Sequence, residues 1–287
     1  MLVGTTTSPT LRPPAPPGIV ASVPLLILKL TLTPLLIGGA SLAARRWGPA
    51  VAGWIVALPL TSGPVLFFVA LDHGPAFAAD AAVGTTLGLA AIVAYALGFV
   101  AASRRGPAPA VVAATAAYVV AGFVLQTVAG WPYLLLAGLV VLAILGTIRV
   151  LPPSTGAPPS GRHPPWDLPA RMIVGTTLVV GLTTIAPLLG PTVSGIVTTF
   201  PVYVTVLATF AFLGDGRSAA IGVLRGALIG LPGTVAFYLP IHFLVVSAGI
   251  APAFALSIAL TSVIGVAALP RVRGRRTTDD RLEVELV

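Results

Sequence analysis

The chain contains no cysteine, which excludes disulfides, thiolate metal sites and cysteine nucleophiles together. It is almost as short of charge. Only 8% of its 287 residues are Asp, Glu, Lys or Arg, against about 25% in soluble globular domains. Glutamate first occurs at Glu283. There is no HExxH, no GxSxG with a usable acid and histidine, no Walker-type glycine loop and no acidic cluster, so neither a metal site nor nucleotide-driven chemistry is expected. The histidines, His73, His163 and His242, have no ligand spacing. The expected protein is not an enzyme and carries no cofactor or metal.

What is present is hydrocarbon. Hydrophobic residues make up 56% of the chain and the mean hydropathy is +1.02, so a water-soluble core is excluded. A membrane-spanning helix needs about 20 largely uncharged residues. Cutting the apolar runs at charges, prolines and glycines gives about nine spans, at 19–43, 50–71, 78–103, 108–129, 131–150, 169–189, 191–213, 218–247 and 251–269. The span 218–247 contains Pro232 and Pro240 and is read either as one kinked helix or as two. Residues 1–18, with Pro13, Pro14, Pro16 and Pro17, read as a disordered tail.

The formal charge of +8 does not point to nucleic acid, because the basic residues lie in short loops between apolar runs. With nine spans Arg45, Arg46, Arg104, Arg105, Arg149, Arg162, Arg217 and the cluster from Arg271 to Arg281 fall on one face and leave Arg12 opposite. That face is expected to be cytoplasmic, with the amino terminus outside and the carboxyl terminus inside.

A shift of 142 residues superposes one half of the chain on the other. Gly39 meets Gly181, Gly48-Pro49 meets Gly190-Pro191, Gly53 meets Gly195, Pro59 meets Pro201, Gly74 meets Gly216, Gly84 meets Gly226 and Gly88 meets Gly230. Six of the eight glycines from Gly38 to Gly88 find a glycine partner, where about one is expected by chance. One unmatched helix, 131–150, separates the copies, so they should run in opposite senses across the membrane. The expected fold is therefore an all-α polytopic membrane protein of two inverted four-helix repeats, 19–129 and 169–270. They are joined by a linker helix and a proline-rich cytoplasmic loop (130–168), and a cytoplasmic tail follows at 271–287.

Inverted repeats of this kind recur in secondary transporters, and paired interruptions of spanning helices are the best sequence pointer to a midplane site. Pro59 and Pro201 interrupt the second helix of each copy, with Thr61, Ser62, Thr198, Thr199 and Tyr203 as nearby hydroxyls. The alternative is a packing kink with hydroxyls bonded within their own helix. Of the ionisable residues inside apolar spans, Lys29 and Arg225 are candidate ligands for an anionic solute or a lipid phosphate. Asp80 is the candidate for proton coupling, and His242 is a weaker candidate. Alternatively, Lys29 and Arg225 cap freed carbonyls or pair with Asp80. Gly84/Gly88 and Gly226/Gly230 form equivalent GxxxG stretches, expected to pack helices within the chain or, in the competing reading, between two chains of a homodimer.

Each half also resembles the GlpM-like small integral membrane proteins. The first half supplies Leu28-Lys29, Ala52-Gly53 and Leu58-Pro59-Leu60, and the second Val223-Leu224-Arg225 and Phe237-Tyr238-Leu239. The pattern departs where Arg225 aligns with Val83 and where Phe200, rather than leucine, precedes Pro201. The resemblance implies a bacterial inner-membrane protein tied to envelope or polysaccharide production, with envelope-biosynthesis proteins as partners. The resulting expectation is an alternating-access transporter or flippase, with a non-transporting scaffold subunit as the alternative.

Overall fold

The computed structural model describes residues 23–153, 164–185, 188, 196–197 and 199–273. The expected amino-terminal tail, most of the proline-rich loop and residues 274–287 of the expected carboxyl-terminal tail lie outside them, while 271–273 continue the last helix. Among the described residues every regular element is helical. In chain order they are α1 (Val23–Trp47), α2 (Pro49–Ala57), α3 (Ser62–His73), α4 (Pro75–Ala102), α5 (Pro107–Gln126), α6 (Tyr133–Val150), α7 (Asp167–Ile185), α8 (Val202–Asp215), α9 (Arg217–Leu244) and α10 (Ile250–Arg273). Seven helical segments are long and apolar enough to cross a membrane, with α2 and α3 together counting as one, and α8 is a shorter apolar helix.

Three helices begin at a Gly-Pro pair, at Pro49, Pro75 and Pro107. Proline suits the first helical position, whose missing N–H has no intrahelical partner in any case. Gly74 and Gly216, 142 residues apart in the sequence, hold φ of 90° and 84°, values that glycine adopts without steric cost. Each opens a helix of 28 residues, α4 and α9. Helix α9 runs unbroken through Pro232 and Pro240, so the region expected to be kinked or split is one helix. It is also the most enclosed segment, with 83% of its apolar window buried.

The second apolar span, 50–71, is divided, and the division has a defined geometry. Between α2 and α3 the Leu60 N–H donates to Leu58 O at 2.7 Å, and the Gly63 N–H donates to Pro59 O at 2.9 Å. Before α8 the Val202 N–H donates to Phe200 O at 2.8 Å, and the Thr205 N–H to Pro201 O at 2.9 Å. Each is a three-residue inverse γ-turn centred on proline, with φ −79° and ψ 63° at Pro201. Proline favours this turn because its φ is already fixed and it has no N–H to lose.

Side-chain contacts define the two ends of the bundle. Arg45 is paired with Asp167 at 2.9 Å, Arg217 donates to Ser103 Oγ at 2.7 Å, and Val272 is buried with Ala43, Ala50 and Val51. These contacts gather the arginine-bearing helix ends. At the other end the His242 ring lies 4.2 Å from that of Tyr133, and His242 Nδ1 lies 3.2 Å from Ala79 O. Helix α4 joins the two ends, since 28 residues at about 1.5 Å each span roughly 42 Å. Gly74 and Gly216 therefore sit at opposite ends.

The glycines set how closely the helices approach. A methyl group on Gly226 would collide with the backbone carbonyl of Ala50, and one on Gly53 with that of Val223, so α2 and α9 are in backbone contact. Gly230 faces Ala57 and Gly88 faces Thr199, where a β-carbon would come within 2.8 Å of the facing side chain. Gly84 faces open space. Three of the four GxxxG glycines thus sit at contacts inside the chain.

Candidate functional site

The first proline break is beside a groove of about 740 Å³. One wall is the broken helix, from Trp54 through Leu58, Pro59 and Gly63 to Phe67. The other is a stripe on α10 at positions 251, 254, 255, 258, 261, 262, 265 and 266. This three-and-four spacing is one face of a helix. Phe237 of α9 lines it as well, and Thr261 and Ser262 supply its hydroxyls. Thr261 is already committed, donating to Gly233 O at 3.0 Å. Trp54 Nε1 is buried with no hydrogen-bond partner.

The positions 142 residues away from two of these wall residues are packed against rings. Shifted by 142, Leu58 becomes Phe200 and Phe237 becomes Tyr95. The Phe200 ring stands edge-on to both Tyr95 and Tyr118, at centroid distances of 6.0 and 5.3 Å. The Tyr118 hydroxyl donates to Ile196 O at 3.0 Å and is 2.7 Å from Thr199 Oγ1. Rings and hydrogen bonds thus enclose Phe200, whereas Leu58 borders the groove.

Of the hydroxyls expected at the site, Thr61, Ser62, Thr199 and Tyr203 are in contact networks and do not line the groove. Tyr203 and Thr61, 142 positions apart in the sequence, interact through their side chains, and the Tyr203 hydroxyl lies 3.2 Å from Thr33 Oγ1. Ser62 lies against the hydroxyl of Tyr238, which also reaches Thr85. Thr199 bonds Tyr118, and Thr198 lies outside the described residues. Pro59 lines the groove and Pro201 does not.

The charged candidates are dispersed. Arg225 Nη1 donates to the carbonyls of Ile148, Leu151 and Pro152 at 3.0, 2.7 and 3.3 Å. These carbonyls end α6 and have no further helical turn to bond, so Arg225 caps a neighbouring helix, in keeping with the alternative reading of that residue. Asp80 is exposed in the second turn of α4. Lys29 belongs to α1, but its side chain is outside the described residues.

One ionic cluster went unrecognised in the sequence. Asp167, at the start of α7, bonds Arg171 Nε at 3.0 Å and Nη2 at 3.1 Å and also Arg45. The Arg171 and Asp167 side chains are only 5% and 8% exposed. The available signal was the Asp-to-Arg spacing of four, which places both on one helix face. Tyr118, Tyr133 and Tyr238 were missed as well. A buried tyrosine needs a partner for its hydroxyl, and Tyr133 finds Thr86 at 2.8 Å.

Among the described residues no group of three or more His, Cys, Asp or Glu side chains converges as a metal site. No protein-family model, curated protein or solved structure matches this chain.

Proposed function

We propose that the protein is a transporter or flippase of the bacterial inner membrane, built as two inverted four-helix copies in a nine-pass arrangement. Its substrate would be an anionic small solute or a lipid-linked envelope intermediate. The carboxyl terminus faces the cytoplasm, because the arginine-bearing helix ends gather at one end of the bundle and short basic loops stay inside. The resemblance of each half to the GlpM-like proteins suits the same membrane.

The observation that carries the reading is an asymmetry. Two copies share one helix break, yet Pro59 borders an open groove while the Pro201 side is packed by Phe200, Tyr95 and Tyr118. In an inverted repeat, exchanging the two conformations moves the opening to the other side of the membrane. Thr61 and Tyr203, where the breaks meet, are the pivot of that exchange.

The test is reconstitution in proteoliposomes with NBD-labelled phosphatidylglycerol for lipid transfer and radiolabelled phosphate for solute uptake. Because the chain has no native cysteine, Leu60→Cys with Ile258→Cys allows a reducible bifunctional crosslinker to bridge the groove walls. The reading requires transfer of one probe, blocked by crosslinking and restored by reduction. Transfer indifferent to the crosslink contradicts alternating access.

A second reading, a scaffold subunit of an envelope-biosynthesis complex, draws on Arg225, whose bonds to the end of α6 serve architecture. It requires neither probe to move and a partner to co-purify.

A further inference from the structure

We infer that the bundle binds one water molecule in a small cavity at its arginine end, among Ser41 and Arg45 of α1, Arg171 of α7 and Asp215 of α8. The water joins helices from the first and second halves of the chain through hydrogen bonds.

The cavity measures about 10 Å³, the room that one water molecule needs. Ser41, Ala44 and Arg45 line it from α1, and Leu207, Ala211 and Asp215 line it from α8, a spacing of four that keeps all three on one helix face. Apolar residues of α2 and α9 complete the wall. The Arg45 side chain is 33% exposed, so solvent reaches the cavity along it.

Ser41 is 1% exposed, and its hydroxyl has no hydrogen-bond partner among the described residues. A hydroxyl inside an apolar helix ordinarily turns back to the carbonyl four residues earlier, as Thr86, Thr205 and Ser257 do at 2.9, 2.9 and 2.8 Å. Ser41 makes no such bond, and an unpaired buried hydroxyl is costly. Arg171 is not free to swing across and meet it. Its Nε and Nη2 are bonded to Asp167, and its guanidinium lies over the Phe210 ring at 5.3 Å. Those bonds still leave N–H donors over on Arg171, and on Arg45, whose Nη2 also bonds Asp167, because a guanidinium carries more donors than they use.

Size and charge select the occupant. A phosphate or a lipid headgroup is too large for the space. Arg45 and Arg171 share Asp167, and Asp215 also lines the cavity, so the two guanidiniums are matched by two carboxylates. An ion of either sign would face a like charge, whereas water donates to a carboxylate and accepts from a guanidinium or a hydroxyl. Cavities that stay dry are apolar, and this one is not. The water ties α8 to α1 and α7 at the place where Asp167 ties α1 to α7 directly. By contrast, α2 and α9 meet backbone to backbone at Gly53 and Gly226, with no room for solvent. The site follows from packing at the arginine end and does not depend on transport.

A crystal structure of the full chain, grown in a lipidic mesophase containing bromide, tests the site. One ordered water within about 3.2 Å of Ser41 Oγ is expected. An anomalous bromide peak at Ser41 would make this an anion site, and a cavity without density would make it a dry one; either result overturns the inference. Thermal unfolding supplies an independent sign. With water bound, Ser41→Ala removes a hydrogen bond and should lower Tm by about 2 to 4 °C. In a dry cavity the same substitution removes an unpaired hydroxyl and should raise Tm, so a rise or an unchanged Tm also overturns the inference.

Discussion

Gly230 lies so close to Ala57 that a β-carbon on it would stand 2.8 Å from the Ala57 side chain. The residues 142 positions earlier and later, Gly88 and Thr199, repeat that relationship at 2.8 Å. Helix α9 therefore packs on α2, and α4 packs on the segment just before α8, through the same pair of positions shifted by 142. Thr234 adds a hydrogen bond from its hydroxyl to Ala57 O, fixing the depth at which α9 crosses α2.

Gly226→Ala should destabilise the protein by at least the roughly 1 to 3 kcal/mol typical of overpacking, because the added methyl meets backbone of Ala50 that has no rotamer to move. Gly84→Ala, facing open space, should be within about 0.5 kcal/mol of the parent. Thermal unfolding in detergent with a folding-sensitive fluorophore separates the two. If Gly84 instead joins two chains, Gly84→Leu should shift the mass measured by light scattering, and an unchanged mass excludes it.

Asp167→Asn should cost roughly 3 to 5 kcal/mol, since it leaves the buried Arg171 guanidinium facing a neutral amide. Arg45→Gln should cost far less, because the Arg45 side chain is 33% exposed and water compensates. Melting temperatures that fall equally in the two variants would contradict this division.

Arg225→Ala should lower stability by about 1.5 to 3 kcal/mol, the worth of a hydrogen bond to a charged donor, with Arg225→Lys intermediate because an ammonium lacks the guanidinium fork. A substrate ligand behaves otherwise. If Arg225→Ala melts like the parent but transports nothing, the capping role assigned here is wrong.

Tyr118→Phe removes the bonds to Ile196 O and Thr199 Oγ1 while keeping the ring against Phe200. It should cost about 1 kcal/mol and loosen the packed side. A cysteine at Thr199 should then react faster with a small thiol reagent, and an unchanged rate would mean that Phe200 alone keeps this side closed.

Much of the fold was legible in residue types. Apolar runs marked helices, and Gly74 and Gly216, matched by the 142-residue shift, each open a helix of 28 residues where spans of unequal length were expected. Proline alone did not reveal where a helix breaks. Pro34, Pro232 and Pro240 lie inside continuous helices, whereas Pro59 and Pro201 form γ-turns, so surrounding packing decides how a proline is absorbed. The site was half legible. Pro59 pointed to the groove, but its far wall comes from α10, about two hundred residues away in sequence, and no local pattern reveals such a pairing. The hydroxyls near both prolines were visible as residues, yet their tyrosine partners on α5 and α9 follow only from tertiary packing.

The central claim is that the two halves face opposite ways across the membrane, and single-cysteine labelling tests it most directly. Asp72→Cys and Ser218→Cys are exposed positions beside Gly74 and Gly216, in a chain with no other cysteine. A membrane-impermeant maleimide applied to intact cells should label Asp72→Cys, and should reach Ser218→Cys only after permeabilisation. Labelling of both from the same side would contradict the inverted arrangement and, with it, the alternating mechanism.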